Sequence, residues 1–184
     1  MRFPTRMAFL APIWFLGALA IPFLAAAVAN RDFDAPDLGL IIASSVAGIL
    51  VPLFWVHGIY RAVRMARVGH DGPTAGEWSF WIAEAGVILM AIAWLVIAGE
   101  PVGPLGGVGT TLFVASLVAY FVSLWRAAAA LSAFEDGTGR APIGRSVFTF
   151  LAMIYWAIGV WFMQGRLNRL REAAEARRPT ATAV

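Results

Sequence analysis

Four residues in this chain could do chemistry together: His57, Arg61, Glu84 and Arg126. Glu84 lies about five residues inside a long apolar stretch, in Trp81-Ile82-Ala83-Glu84-Ala85-Gly86. An ionisable group at that depth in lipid costs on the order of 2–3 kcal/mol, so it needs a partner or a route to the headgroups. His57 stands one helical turn before Arg61, and residues four apart share a helix face. Arg126 closes a later apolar stretch on the same expected side of the membrane. A carboxylate, an imidazole and two guanidiniums at one level suit a structural ion pair, a transport step or acid–base catalysis. They form the candidate polar cluster.

Other chemistries find no residues to carry them. His70 follows His57 by thirteen positions, about 20 Å along a continuous helix, so the pair is not placed to clamp one haem. Two histidines also fall short of a membrane di-iron site. There is no nucleophile elbow and no glycine-rich phosphate loop followed by lysine. Every aspartate lies between apolar stretches. Cysteine is absent, which removes disulfides, thiol catalysis and thiolate metal sites. Lysine is absent too, which excludes a Schiff base and with it a retinal protein. No catalytic residue, metal ligand or cofactor is therefore assigned.

Arg61, Arg64 and Arg67 recur every third residue and make one ridge if their helix continues past the bilayer. The ridge sets topology, or faces anionic lipid or an acidic partner.

These residues hang on five apolar runs, at about 7–29, 38–60, 80–98, 108–131 and 147–164. Each is long enough to cross a hydrocarbon core about 30 Å thick. With 60% hydrophobic and 14% charged residues, the chain has little water-facing surface. The expected fold is all-α: a single polytopic membrane bundle over residues 1–184, with about five transmembrane helices, short loops and a basic helical extension at 165–184. Pro12 and Pro22 fall inside the first run, where neighbouring helices can satisfy the freed carbonyls. That run begins after Arg2 and Arg6 and ends in Ala27-Val28-Ala29, which resembles a leader, but it exceeds the usual leader core and is read as a retained span.

Charge places the N-terminus in the cytoplasm. Arg2, Arg6, Arg61, Arg64, Arg67, Arg126, Arg140 and Arg145 then fall inside, against Arg31 outside. Five spans send the C-terminus outward, yet the tail holds Arg166, Arg169, Arg171, Arg177 and Arg178. Either the tail is translocated or one run does not span; the lengths favour the former. The tail reads as a solvated continuation of the fifth helix, ended by Pro179, with Arg171 and Glu175 paired at helical spacing. Leu167 and Leu170 give it a small apolar edge that lipid headgroups or a partner could use.

A shift of 65 places Tyr60-Arg61-Ala62 on Trp125-Arg126-Ala127 and Asp71-Gly72 on Asp136-Gly137, a possible duplicated hairpin. Trp55, Tyr60, Trp78, Trp81 and Trp125 suggest an aromatic belt at the cytoplasmic interface. Ser44 with Gly48, and Ala115 with Ala119, suggest close helix approach.

The function expected from this reading is that of a small non-catalytic protein of the bacterial inner membrane, an accessory or assembly subunit of a larger complex. Its expected partners are membrane lipids and other membrane subunits. The net charge of +3 calls for no nucleic acid. The alternatives are an oligomeric transporter or channel built around Glu84, Ser44, Ser45, Ser116 and Ser123, and a lipid-modifying enzyme built around His57 and Glu84.

Overall fold

A computed structural model describes residues 3–29, 38–69, 73–97, 105–137 and 142–177. The acidic connection at 30–37, His70, Asp71, Gly72, Glu100, Arg140, Arg178 and Pro179 lie outside these residues, as does Arg2. A short 3-10 turn, Thr5–Phe9, precedes six helices: α1 (Pro12–Ala29), α2 (Leu38–Val68), α3 (Trp78–Ile97), α4 (Leu105–Asp136), α5 (Ile143–Ile154) and α6 (Trp156–Ala176). A second 3-10 turn, Ala75–Glu77, leads into α3. No strand occurs among the described residues.

Among the described residues three helices are long and apolar enough to cross a membrane, over Gly39–Val68, Ala75–Ala93 and Thr111–Asp136. Only 28–33% of the residues in their most apolar windows are buried within the protein, and the rest are exposed or half-buried. Apolar surface left open in this way is costly in water and natural in lipid.

Helices α2 and α4 outlast the apolar runs that predicted them. Both stop at a glycine with positive φ, Gly69 at 76° and Gly137 at 68°. That left-handed conformation closes a helix at little cost when there is no Cβ. The Gly69 N–H donates to Met65 O at 2.8 Å, returning one terminal carbonyl to a partner. These two ends match at a shift of 68, three residues off the 65-residue register of the sequence similarity.

Contacts cluster in two compact units. Unit one comprises Met1–Pro12, Phe54–Ala75 and Val122–Val184; unit two comprises Ile13–Leu53 and Gly76–Phe121.

Within unit two, small residues allow close packing. A Cβ on Gly86 would sit 1.8 Å from Ser116 Oγ and 2.8 Å from its Cβ, so α3 and α4 meet there. Gly48 faces the Phe23 ring in the same way, 2.7 Å from Cζ. The small-residue face of α4 runs through buried Ser116 and Ala119, whereas Ala115 is exposed. The spacing expected from Ala115 is thus displaced by one residue, about 100° around the helix.

Unit one has its own core of Trp55, Ile59, Leu124, Leu131, Met153, Met163, Leu167 and Leu170. The N-terminal segment is part of it. Thr5 and Ala8 are wholly buried, and a Cβ on Gly58 would lie 2.5 Å from Pro4 O. Trp55 is wholly buried and so leaves the expected belt, while Trp78, Trp81 and Trp125 stay exposed.

The fifth apolar run departs most from expectation. It is not one straight helix: α5 ends at Ile154, and Tyr155, at φ −88° and ψ 48°, separates it from α6. Arg166 Nη1 donates to Thr149 Oγ1 at 2.8 Å. Seventeen residues of continuous helix would separate these positions by about 25 Å, so α6 folds back along α5. Gly159 makes the return possible, since a Cβ there would sit 1.7 Å from the Ala152 carbonyl oxygen. The tail is correspondingly not a solvated extension. Leu167, Leu170 and Ala174 are buried, because the return brings α6 against its own unit rather than away from it.

Candidate functional site

The four residues of the expected cluster fall in different settings. His57 is buried on α2. Arg61, also buried, donates from Nη1 to Phe3 O at 3.2 Å, tying the N-terminal segment to α2. Arg126 on α4 lies over the Tyr60 ring, 5.5 Å from its centroid, and its Nη2 is 3.4 Å from the Tyr60 hydroxyl. These three belong to unit one; Glu84, half-buried on α3, belongs to unit two.

The arginine ridge is real as spacing, since α2 continues through Val68, but its members differ in exposure. Arg61 is turned into the core, Arg64 is half-buried and hydrogen-bonded to the Thr74 hydroxyl, and Arg67 is exposed. Arg67 O in turn accepts from Arg177 Nη1 at 2.6 Å. The end of α6 therefore lies beside the end of α2.

The most developed polar site was not among the sequence candidates. It lies where α4, α5 and α6 meet. Arg166 holds Glu135 in a two-point grip, Nε to Oε1 at 2.6 Å and Nη2 to Oε2 at 2.7 Å. The two side chains are only 14% and 16% exposed, so the pair is largely desolvated. Its third contact, from Nη1, is to the Thr149 hydroxyl. Thr149 has one proton, which it donates to Arg145 O at 2.8 Å, four residues back. The contact of 3.3 Å with Ser132 is then one in which Ser132 donates. Thr149 thereby uses its proton and both lone pairs, which is how a buried hydroxyl is tolerated.

Beside this network opens a cavity of about 600 Å³ lined by Phe134, Glu135, Arg145, Phe148, Arg166 and Arg169. Three guanidiniums face one carboxylate, leaving two positive charges in excess. Among the described residues no hydrogen bond or ion pair engages the side chain of Arg145 or Arg169. Such a site is electrostatically disposed toward anions.

By sequence alone Arg145 falls in a connection and Arg166 in the tail, where both count only as topology signals. The hint lay at the start of the fifth run, where Ser146 just before it and Thr149 within it stand at helical spacing. Nothing short of the α5–α6 return could have joined Glu135 to Arg166 across 31 residues.

No protein-family model matches this chain, and no curated protein or solved structure resembles it significantly. The site must therefore be read from its own geometry.

Two features of that geometry bear on chemistry. Among the described residues no three His, Asp or Glu side chains converge at metal-ligand spacing. Three hydroxyls of the apolar helices bond to their own backbones: Ser44 to Leu40 O at 2.7 Å, Ser45 to Ile41 O at 2.9 Å and Ser116 to Leu112 O at 2.7 Å. A hydroxyl bonded back to its helix satisfies itself in an apolar medium without a polar neighbour.

Proposed function

We propose that the chain is a four-span, non-catalytic protein of the bacterial inner membrane that serves as an accessory or assembly subunit. In this reading α1 to α4 cross the membrane, and α5 and α6 form a hairpin that returns to the side it came from. Both termini are cytoplasmic.

The observation that carries the proposal is the partition of charge. Unit one holds thirteen of the fourteen arginines against five acidic residues, a net charge of +8. Unit two holds one arginine against six acidic residues, a net charge of −5. Five spans would divide the arginines eight to six across the membrane. Four spans divide them thirteen to one, in accord with the inward bias of arginine in bacterial membranes. The Arg177–Arg67 contact supports the same side for the tail and the end of α2.

The subunit role rests on how polar groups are used. Three of the serines that a transport path would use, Ser44, Ser45 and Ser116, donate to carbonyls of their own helices. Exposed aromatic and aliphatic side chains on α1, including Trp14, Ile21 and Leu24, offer surface to lipid or to a neighbouring subunit.

A protease site placed after Val184 tests the topology. Cleavage is expected only in inverted vesicles or permeabilised cells; cleavage at the outer face of intact spheroplasts would return the chain to five spans. Extraction in mild detergent tests the role. A membrane partner at fixed stoichiometry is expected, and a lone monodisperse protein would sink the subunit reading.

A further inference from the structure

We infer that the Arg145–Arg166–Arg169 cavity binds the phosphate of an anionic phospholipid, whose acyl chains run along the outward face of α5.

Charge comes first. Glu135 answers Arg166 and no other lining residue, so the guanidiniums of Arg145 and Arg169 bring uncompensated charge to the cavity. Arg166 uses three of its five N–H groups on Glu135 and Thr149, which leaves two for a further acceptor. A guanidinium fork matches phosphate oxygens in pairs. The Glu135 grip and the Thr149 contact hold Arg166 in place, so little side-chain freedom is lost when an anion arrives.

Apolar surface decides the source of the phosphate. Helix α5 is amphipathic in the sense opposite to a water-facing helix. Ser146 and Thr149 are buried, whereas Ile143 and Phe148 are 77% and 62% exposed and Val147 and Leu151 also point outward. Phe148 both lines the cavity and belongs to that outward face. A phosphate held by the arginines therefore has an apolar track leading from it, which a free phosphate would not use. A phospholipid satisfies both parts at once: its headgroup neutralises the arginines, and its chains cover the α5 face.

The test is lipid retention by the full-length chain, followed by native mass spectrometry in a delipidating detergent and by titration with phosphatidylglycerol or phosphatidylcholine. Wild-type protein is expected to prefer phosphatidylglycerol. Each removed charge should weaken that binding about fivefold, so Arg169→Gln alone loses about fivefold and Arg145→Gln with Arg169→Gln about 25-fold. Neither side chain has a partner among the described residues, so the melting temperature in lipid-free detergent should not move. Phe148→Ala should weaken phosphatidylglycerol binding and leave any effect of inorganic phosphate unchanged. Equal binding of the two lipids, or a double variant that keeps its affinity, would overturn the inference. Inorganic phosphate protecting as well as the lipid would overturn the choice of a lipid. These outcomes are independent of the span count and of any partner subunit.

Discussion

Gly159→Ala is expected to destabilise the protein by about 3 kcal/mol or more, the upper end for forcing atoms into a packed interior. The added methyl carbon would stand 1.7 Å from the Ala152 carbonyl oxygen and 2.6 Å from its carbon. Both are backbone atoms, so no side-chain rotation relieves the clash; α5 and α6 must separate. Separation would lengthen the Arg166–Thr149 contact and loosen the grip on Glu135, so damage at the tip should spread to the cavity. The comparison is Gly165→Ala, six residues further along the same helix, where a Cβ meets nothing within 4 Å. There alanine should stabilise by roughly 0.5–1 kcal/mol, because glycine loses more backbone freedom on entering a helix. Thermal unfolding of the two variants in one detergent decides the matter. Equal melting temperatures would mean that the fifth apolar run does not fold back at Gly159.

The second large effect is at the Glu135–Arg166 pair. Removing one partner leaves a charge largely shielded from water, which costs about 3–5 kcal/mol when burial is complete. With both side chains about one-sixth exposed, Glu135→Ala is expected to cost about 2–3 kcal/mol. Arg166→Ala should cost at least as much, since it also strips Thr149 of an acceptor role and opens space above Leu167 and Leu170. Replacing both residues should cost less than the sum of the single changes, because neither charge is then stranded. A double-mutant cycle in detergent measures the difference. Strict additivity would show the pair to be a surface contact of little weight, as solvated ion pairs usually are. By contrast Arg171 and Glu175, which pair at 2.9 Å but are about half exposed, should show little or no coupling in the same cycle.

These predictions meet in one structural idea. Two of the helices long and apolar enough to cross a membrane, α2 and α4, return serine hydroxyls to their own backbones. At the end of the chain, α5 and α6 bring Arg166 onto Glu135 and Thr149, joining residues 31 and 17 positions apart. A hairpin with hydroxyls inward, apolar groups outward and arginines at its open end is suited to the boundary between headgroups and hydrocarbon. There the inward hydroxyls are shielded, the apolar residues meet acyl chains, and the guanidiniums reach water or phosphate.

Much of this was legible without coordinates. Apolar runs of bilayer length announce helices, because a backbone in lipid must satisfy its own hydrogen bonds and a helix does so within one segment. The three-residue spacing of Arg61, Arg64 and Arg67 made a ridge if α2 ran past its apolar stretch, which it does, and the Arg171–Glu175 pair follows from its own spacing. The bias of arginine toward one side was likewise countable, and the conflict raised by the tail was visible as a conflict. The break in the last apolar run that bears on it was not. Residues 147–164 are apolar enough and long enough for a span, and length and hydropathy do not register a break at a single tyrosine. That break depends on whether α6 finds a better place against its own unit, a sum of contacts from Thr5 to Ala174 that no local window contains. The same holds for the site. Glu84 drew attention because a charge inside an apolar run is conspicuous in one dimension. Glu135 and Arg166 did not, because each sits in polar sequence, and only the folding of α6 onto α5 turns two ordinary boundary charges into a desolvated pair. The helical form and the apolar stretches of membrane-crossing length thus follow from composition and periodicity, which act locally. The turning back of the last apolar run, and the cavity it closes, follow from packing, which acts between residues far apart along the chain.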